Sequence, residues 1–381
     1  MEINESRVAI LTPSISRLAG GLFFSVRCIS RELIQRGINV KVFSVMDKYS
    51  HEDLKTWHGI PIELYKSTMG KFCYSNHIYS NLLKFQPNTV YLNGIWTYQS
   101  VLNLRISCEG IKTVIAPRGM IDGWALKNSF LQKRIALTTY EKYNFQNANL
   151  IHALCDNEAI SIKKIFPKSR IQVIPNGIDI PSKKIFNIES FYGQEKPFTL
   201  GYIGRLDEKK GLTDLLLAIN HIRKTSHIPF IRLAIAGWGS MYYERKLKDM
   251  VIQLGLLDVV DFIGQVYGDE KEKFLNQIDA FILPSYSEGL PMAVLDSWAR
   301  AIPVLMTDEC NLQFSFAENA AIRITHDPLN IAEIILNLIN RSPVELNAIG
   351  AKGFLIAKNK YSWKTIANSM IEMLLNPIIM Y

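Results

Sequence analysis

Residues Glu288 to Val304, EGLPMAVLDSWARAIPV, constrain the fold more than any other stretch of this 381-residue chain. The apolar run before it, Ala280 to Pro284, reads as a buried strand. Ser285, Tyr286 and Ser287 then make a polar loop that ends in Glu288 and Gly289. A helix is predicted to start near Pro291, a residue favoured at the first helical turn. Met292, Val294, Leu295 and Trp298 suit a helix buried over most of its surface, and Pro303 to Met306 reads as the next strand. Strand, acidic loop, helix and strand in succession make one unit of an open α/β sheet. The loop at the carboxyl end of such a strand faces the ligand crevice. The helix start adds unpaired backbone amides that suit an anion. Glu288 therefore stands where a hydroxyl could be gripped beside a bound phosphate. Asp296 lies about two helical turns further on and could reach a second polar part of the same extended ligand.

The rest of the chain repeats that alternation. Val8 to Leu11 predicts a first strand, followed by a loop, Thr12 to Gly21, and a helix opened by Gly20-Gly21 and stopped by Gly37. Val40 to Val45 predicts the second strand. The opening lacks GxGxxG, so no dinucleotide fingerprint is present, but paired glycines at a helix start let a ligand approach backbone closely. Pro61 to Tyr65, Thr89 to Leu92 and Thr113 to Ala116 are further strands. The last two end in the polar loops Asn93-Gly94-Ile95-Trp96 and Pro117-Arg118-Gly119-Met120. Arg118 can fork hydrogen bonds to phosphate or sugar oxygens. His152 sits in an apolar strand and reads as a packed core histidine.

Residues 122–147 place Leu126, Phe130, Leu131, Ile135 and Leu137 among basic residues, an amphipathic helix that either packs on a core or faces a membrane. Pro175 to Asp179 and the polar segment 181–196 read as a linker. Leu200 to Ile203 begins a second domain, with Gly204-Arg205 ending that strand and Lys210-Gly211 preceding a helix from Leu212. Arg205 and Lys210 can converge on one diphosphate from strand end and helix start. Ile231 to Ala236, followed by Gly237-Trp238-Gly239, and Val259 to Ile263 are strands whose terminal glycines fit close packing or approach to a nucleobase.

The chain length suits two domains of ordinary size. The expected division is residues 1–180 and 181–361, with a helix over 362–381 returning to the first domain. Five dispersed cysteines without a CxxC pair argue for a reducing compartment and against a zinc site. No run reaches the roughly 18 apolar residues of a membrane span, and the N-terminus lacks signal-peptide form. A cytoplasmic protein, soluble or peripheral to a membrane, is expected. The net charge of +8 is unevenly placed. Residues 1–180 hold 22 Lys and Arg against 13 Asp and Glu, a balance of +9, and the remainder balances at −1. Such asymmetry predicts that the first half meets an anionic partner. A nucleic acid would need a coherent basic stripe or a stacking platform, and neither is evident.

The acidic stretch resembles the signature of glycosyltransferase family 4: a Glu, seven residues, a second Glu, a small-residue helix and a Pro-Val strand. Asp296 replaces the second Glu here, one methylene shorter. The Gly20-Gly21 loop and the Gly204-Arg205 and Lys210-Gly211 pairs fit the same family at the expected places. Asn93-Gly-Ile-Trp, Pro-Arg-Gly-Met and Cys310-Asn311-Leu312 resemble a branch with HGLW and PRGML that acts in bacterial surface-polysaccharide synthesis. Asn93 stands where that branch often has His, and Asn cannot titrate near neutral pH.

The resemblance implies the GT-B fold, two Rossmann-like domains facing across a cleft, and retaining transfer of a sugar from a nucleotide-sugar donor. By that likeness Arg205 and Lys210 neutralise the departing diphosphate, aided by the amides of Gly289 and Leu290. Glu288 holds sugar hydroxyls, Asp296 the ribose, and Gly20 and Gly21 close over the phosphates. Arg118 and Asn93 lie near donor sugar and acceptor. A UDP-sugar is expected before a GDP-sugar, with no metal or cofactor. The acceptor expected is an oligosaccharide or lipid-linked sugar, held where the basic first domain meets the cytoplasmic face of the inner membrane. A sugar-nucleotide epimerase of the same fold and a non-catalytic relative that binds nucleotide sugar are the alternatives.

Overall fold

A computed structural model describes residues 6–121, 130–181, 197–225 and 231–376. The chain divides into two compact units, residues 1–177 with 363–381, and residues 178–362. The sequence reading places the first boundary three residues later, just past the Pro175–Asp179 turn. Residues 122–129, the linker segment 182–196 and the tail 377–381 lie outside the described residues.

The first unit is built on seven parallel strands: β1 (Arg7–Leu11), β2 (Asn39–Val45), β3 (Ile62–Tyr65), β4 (Thr89–Asn93), β5 (Lys112–Ala116), β6 (Leu150–Ala153) and β7 (Ile171–Val173). Their order is β3-β2-β1-β4-β5-β6-β7. Parallel sheets are covered on both faces, which is why their strands are near-continuous apolar runs. Alternation along β1 divides its side chains between two cores. Val8 and Ile10 pack on one face with the Gly21–Gln35 helix, and Ala9 and Leu11 pack on the other with the helices Ile78–Phe85 and Tyr98–Cys108.

The first of these cores is completed by the last helix of the chain, Trp363–Leu375, through Trp363, Ile366, Met370 and Leu374. Polar contacts fix its end. Thr89 Oγ1 donates to Leu374 O at 2.8 Å, and Lys112 Nζ donates to Met373 O at 2.8 Å. Gly177 is required where the chain passes this helix, because a Cβ there would lie 2.4 Å from the Trp363 ring.

The second unit has six parallel strands: β8 (Phe198–Leu206), β9 (Ile231–Gly239), β10 (Val260–Gly264), β11 (Ala280–Leu283), β12 (Val304–Met306) and β13 (Ile322–Arg323). Their order, β10-β9-β8-β11-β12-β13, is the doubly wound 3-2-1-4-5-6 arrangement. In both units the order reverses beside the first strand, between β1 and β4 and between β8 and β11. Ligands of open α/β sheets bind at such points.

Two sequence expectations are corrected here. Gly204 and Arg205 do not end β8, and Gly237, Trp238 and Gly239 do not follow β9. They are paired strand residues, Gly204 with Gly237 and Arg205 with Trp238. The reason is steric: a Cβ on Gly237 would lie 1.8 Å from Gly204 O, and one on Gly239 would lie 2.1 Å from Leu206 O. These glycines let two strands run together further than their apolar cores extend. The helix expected over 122–147 is two helices in its described part, Phe130–Thr138 and Tyr140–Asn147.

Candidate active site

The order reversal of the second unit carries a buried ion pair. Beyond β8, the Asp207 side chain caps a short turn, Glu208–Lys210, by accepting the Lys209 amide at 3.2 Å. Gly211 follows with φ +67°, and a Cβ there would lie 2.1 Å from Pro284 O. Only glycine allows the Lys210 turn to lie this close to the end of β11. The Tyr286 amide also donates to Lys209 O at 2.7 Å. Across this seam Lys210 Nζ reaches Glu288 Oε1 at 2.5 Å, and Ser285 Oγ donates to the same oxygen at 2.6 Å. The Lys210 and Glu288 side chains are 13% and 9% exposed. Glu288 Oε2 has no partner among the described residues.

The following strand holds the loop. Thr307 Oγ1 donates to Ser285 O at 2.6 Å, and the Glu288 amide donates to Glu309 O at 3.0 Å. Asn311, in a left-handed conformation at φ +59°, donates through Nδ2 to Glu288 O at 2.5 Å and Gly289 O at 3.1 Å. The amides of Gly289 and Leu290 find no acceptor among the described residues. Cys310, buried beneath the loop, has its thiol pushed up to about 12, first by burial and then by the Glu288 charge. A neutral Cys310 leaves the pair's electrostatics undisturbed.

Arg205 and Asp296 stand apart from this pair. Arg205 is exposed, with its guanidinium 5.6 Å from the centre of the Trp238 ring, on the β9 side. Asp296 lies in the buried helix Met292–Trp298, where its Oδ1 takes Lys271 Nζ at 2.9 Å and Arg300 Nη1 at 3.6 Å. Arg300 is tied in turn to Glu272.

The order reversal of the first unit is a meeting of three loops. A Cβ on Gly94 would touch Met120 Cε, Leu22 Cδ1 and Pro13 Cδ, one from each neighbouring loop or helix start. The Thr12–Gly21 loop is held by Asp47, whose Oδ2 accepts Ser14 Oγ at 2.5 Å and Ser16 Oγ at 2.8 Å. Gly20 has φ +56° and needs glycine for that reason, and a Cβ on either Gly20 or Gly21 would meet open space.

Arg118, also left-handed at φ +58°, donates to Asn93 Oδ1 from Nε (3.1 Å) and Nη2 (2.7 Å), to Tyr91 Oη at 2.8 Å and to Asn176 Oδ1 at 2.6 Å. Asn93 is fully buried, so its oxygen is spent on Arg118 rather than offered to a ligand. Behind it His152 donates from Nε2 to Ile174 O at 2.7 Å, which leaves Nδ1 to accept Tyr91 Oη–H at 2.6 Å. Burial, then the Arg118 charge, pushes the imidazole down to about 3, and burial pushes the Tyr91 phenol up to about 12. Both are neutral near pH 7. The core reading of His152 holds, and the hydrogen bonds add that it backs the Arg118 site.

Two family models together match most of the chain. One, glycosyl transferases group 1, matches residues 184–348, and the other, Glycosyltransferase Family 4, matches residues 19–181. The chain belongs to the family 4 glycosyltransferases.

Among curated relatives of this chain is the amylovoran biosynthesis glycosyltransferase AmsK of Erwinia amylovora, 27% identical over 180 residues, or 45% of this chain and 42% of that one. The chain spans about 40% of the length of the curated relatives it matches. Solved structures share the whole fold. Anabaena HepE in complex with UDP and glucose superposes with a TM-score of 0.74 at 17% identity, covering 97% of this chain and 99% of that one. Sucrose-phosphate synthase of Thermosynechococcus elongatus also gives 0.74 at 17%, covering 97% and 98%. The fold is GT-B, two Rossmann-like units.

The structure thus brings together Glu288 with Lys210, and Asn93 with Arg118, but neither Arg205 nor Asp296 with the first pair. Ser285, Asn311, Tyr91 and Asn176 are supporting residues that sequence reasoning assigned no role. Only Asn311 had a signal, its place in the Cys-Asn-Leu run. Among the described residues no helix is long and apolar enough to cross a membrane.

Proposed function

We propose that the chain transfers a sugar from a nucleotide diphosphate to a saccharide acceptor, with retention at the anomeric carbon, in the synthesis of a bacterial surface polysaccharide. The observation that carries this reading is the Lys210–Glu288 pair, shared with Ser285 and flanked by the unpaired amides of Gly289 and Leu290 at the order reversal of the second unit. A diphosphate is matched by the Lys210 ammonium and those amides, and Arg205, free to swing from Trp238, adds a second cation. Glu288 Oε2 takes donor-sugar hydroxyls. Asp296, with Lys271, is assigned to the ribose, and the open backbone at Gly20 and Gly21 admits a phosphate.

In the reaction the bond from the anomeric carbon to the phosphate oxygen breaks as the acceptor oxygen bonds to that carbon from the same face. The acceptor proton passes to a phosphate oxygen of the leaving group. Lys210 and Arg205 stabilise the charge that grows there, which is the main electrostatic help a transferase gives. UDP is the favoured nucleotide, since HepE is described with UDP and with UDP-glucose.

A lipid-linked acceptor is supported by the +9 balance of the first 180 residues. It is also supported by the Phe130–Thr138 helix, where Leu131 and Ile135 are 73% and 64% exposed beside Lys133 and Arg134. Basic residues near an anionic bilayer contribute about 1 kcal/mol each. Flotation with anionic liposomes should show salt-sensitive binding of the full chain. A panel of nucleotide sugars tested for protection against thermal unfolding, followed by product analysis with the protecting donor, tests the transfer itself. Release of an altered sugar without acceptor would mark an epimerase, and protection without turnover a non-catalytic relative.

A further inference from the structure

The Arg118 guanidinium has five N–H groups. Four are committed, and every acceptor is neutral: the Asn93 amide oxygen twice, the Asn176 amide oxygen and the Tyr91 hydroxyl. No carboxylate among the described residues lies within ion-pair distance of it. Glu158, on the helix Asp156–Ile165, accepts the Gly119 amide at 2.5 Å and the Leu154 amide at 2.7 Å, and its charge acts on the Tyr91 hydroxyl without forming an ion pair with Arg118. Tyr91 and His152 are neutral behind it. A half-buried arginine placed for structure alone is ordinarily paired with an acid, because an uncompensated charge is costly to desolvate.

This arginine is instead aimed by dipoles, and its direct acceptors carry no charge. It stands in a left-handed conformation at the carboxyl end of β5, next to the β1/β4 order reversal. Strained backbone held in this way clusters at ligand sites. One Nη1 proton has no acceptor among the described residues.

We propose that Arg118 recognises an oxyanion on the acceptor, a carboxylate or a phosphate, so that the sugar chain this protein extends is acidic near its growing end or is attached through phosphate. The proposal rests on the transferase reading for the word acceptor, but not for the anion site itself. Asn93, Tyr91 and Asn176 are positioning residues: they touch the guanidinium and set its direction.

The test uses the full chain carrying Lys210→Ala, which blunts the donor diphosphate site, titrated with sodium phosphate, with glucuronate and with glucose as the neutral control, at matched ionic strength. Saturable thermal protection by phosphate or glucuronate, but not by glucose, is expected. Phosphate alone assigns a phosphate-linked acceptor, and glucuronate alone an acidic sugar. Adding Arg118→Gln should weaken the anion at least tenfold, while Arg118→Gln alone binds UDP as the parent does. Should Arg118→Gln not fold, phenylglyoxal modification of Arg118 in the Lys210→Ala protein, mapped by mass spectrometry, should be slowed by the anion. Unchanged anion affinity in the double variant, absence of any anion binding to Lys210→Ala, or modification indifferent to the anion overturns the proposal. Failure of UDP to bind the unaltered chain would instead count against the transferase reading and leave the anion arms to be judged separately.

Discussion

The two units place a cation at the same topological point and treat it in opposite ways. Lys210, beside the β8/β11 reversal, is neutralised by a buried carboxylate that it shares with Ser285. Arg118, beside the β1/β4 reversal, is held by amide and hydroxyl dipoles alone. A buried ion pair compensates its own charges, so an arriving diphosphate must compete with Glu288 for Lys210. If the site takes the proposed donor, that competition couples the donor's two ends: phosphate would draw on the ammonium and leave the carboxylate freer for sugar hydroxyls. A cation held by dipoles has no such ion-paired competitor. On the proposed reading, one unit would sense a ligand with both a diphosphate and hydroxyls, and the other would attract a single negative group.

The sharpest way to break this contrast is to remove one partner of the pair. Glu288→Ala should lower kcat/KM for transfer about 10³-fold, in the range found when one preorganised stabilising group is lost, while UDP affinity measured by calorimetry does not fall, since Lys210 loses a competitor. Transfer within tenfold of the parent would remove Glu288 from the reaction. Lys210→Ala should act in the opposite sense, weakening UDP binding roughly 10- to 100-fold, as expected for a hydrogen bond to a charged group worth about 1.5–3 kcal/mol. Each single change should also cost about 3 kcal/mol of stability by orphaning a buried charge, and the double variant should cost less than the two together. Strict additivity in urea unfolding would mean that the pair is not coupled.

How far the sequence reaches is clear from these same residues. The strands, their parallel order and the loops at their ends follow from apolar runs punctuated by glycine and polar residues, and the 288–304 signature locates Glu288 with its amides. Lys210 and Glu288 are 78 residues apart, and their meeting depends on Gly211 fitting under Pro284 O, which no local pattern displays. Local spacing was also misleading for Gly204, Arg205 and Gly237. A glycine after an apolar run reads as a strand end, whereas here it permits two strands to continue side by side. Asn93 and Arg118 were both singled out as candidates, but their bond, and the neutral relay through Tyr91 to His152, joins β4, β6, the loop after β5 and the Asn176 turn. Asp296 was placed on the right helix, and its two cationic partners come from Lys271 and Arg300, one on another helix and one beyond its own.

The seam that makes the Lys210 side possible can be loosened on its own. Gly211→Ala combines a left-handed backbone at φ +67° with a 2.1 Å approach to Pro284 O. It should cost about 2–3 kcal/mol, within the range for strained conformations. UDP affinity should fall with it, because the turn that carries Lys210 must move away from β11. Gly21→Ala in the first unit, with ordinary φ and open space, should change stability by less than about 1 kcal/mol. Equal losses at the two glycines would deny the second unit its special seam.

The smallest expected effect bears on whether the Arg118 side is truly free of compensating charge changes. His152 has an ordinary value near 6.5 in the unfolded chain and is pushed down to about 3 when folded. Between those values the unfolded chain binds a proton that the folded chain refuses, so stability rises with pH through this window. It is complete above pH 6.5 and lost progressively as pH falls toward 3. From pH 7 to pH 5 the loss should be about 2 kcal/mol. Glu141, buried in the same unit and raised above the usual carboxylate value by that burial, acts in the other direction: its folded form takes up a proton first, so stability is gained as pH falls.

The informative quantity is therefore the difference between the parent and His152→Gln in urea unfolding at the two pH values. The parent should lead by about 2 kcal/mol less at pH 5 than at pH 7, because the glutamine has no proton to refuse. An unchanged lead would mean that His152 accepts the proton while folded. A second positive charge would then stand behind Tyr91, and the Arg118 site would draw its oxyanion more strongly in acid, not with the constant charge that neutral dipoles confer.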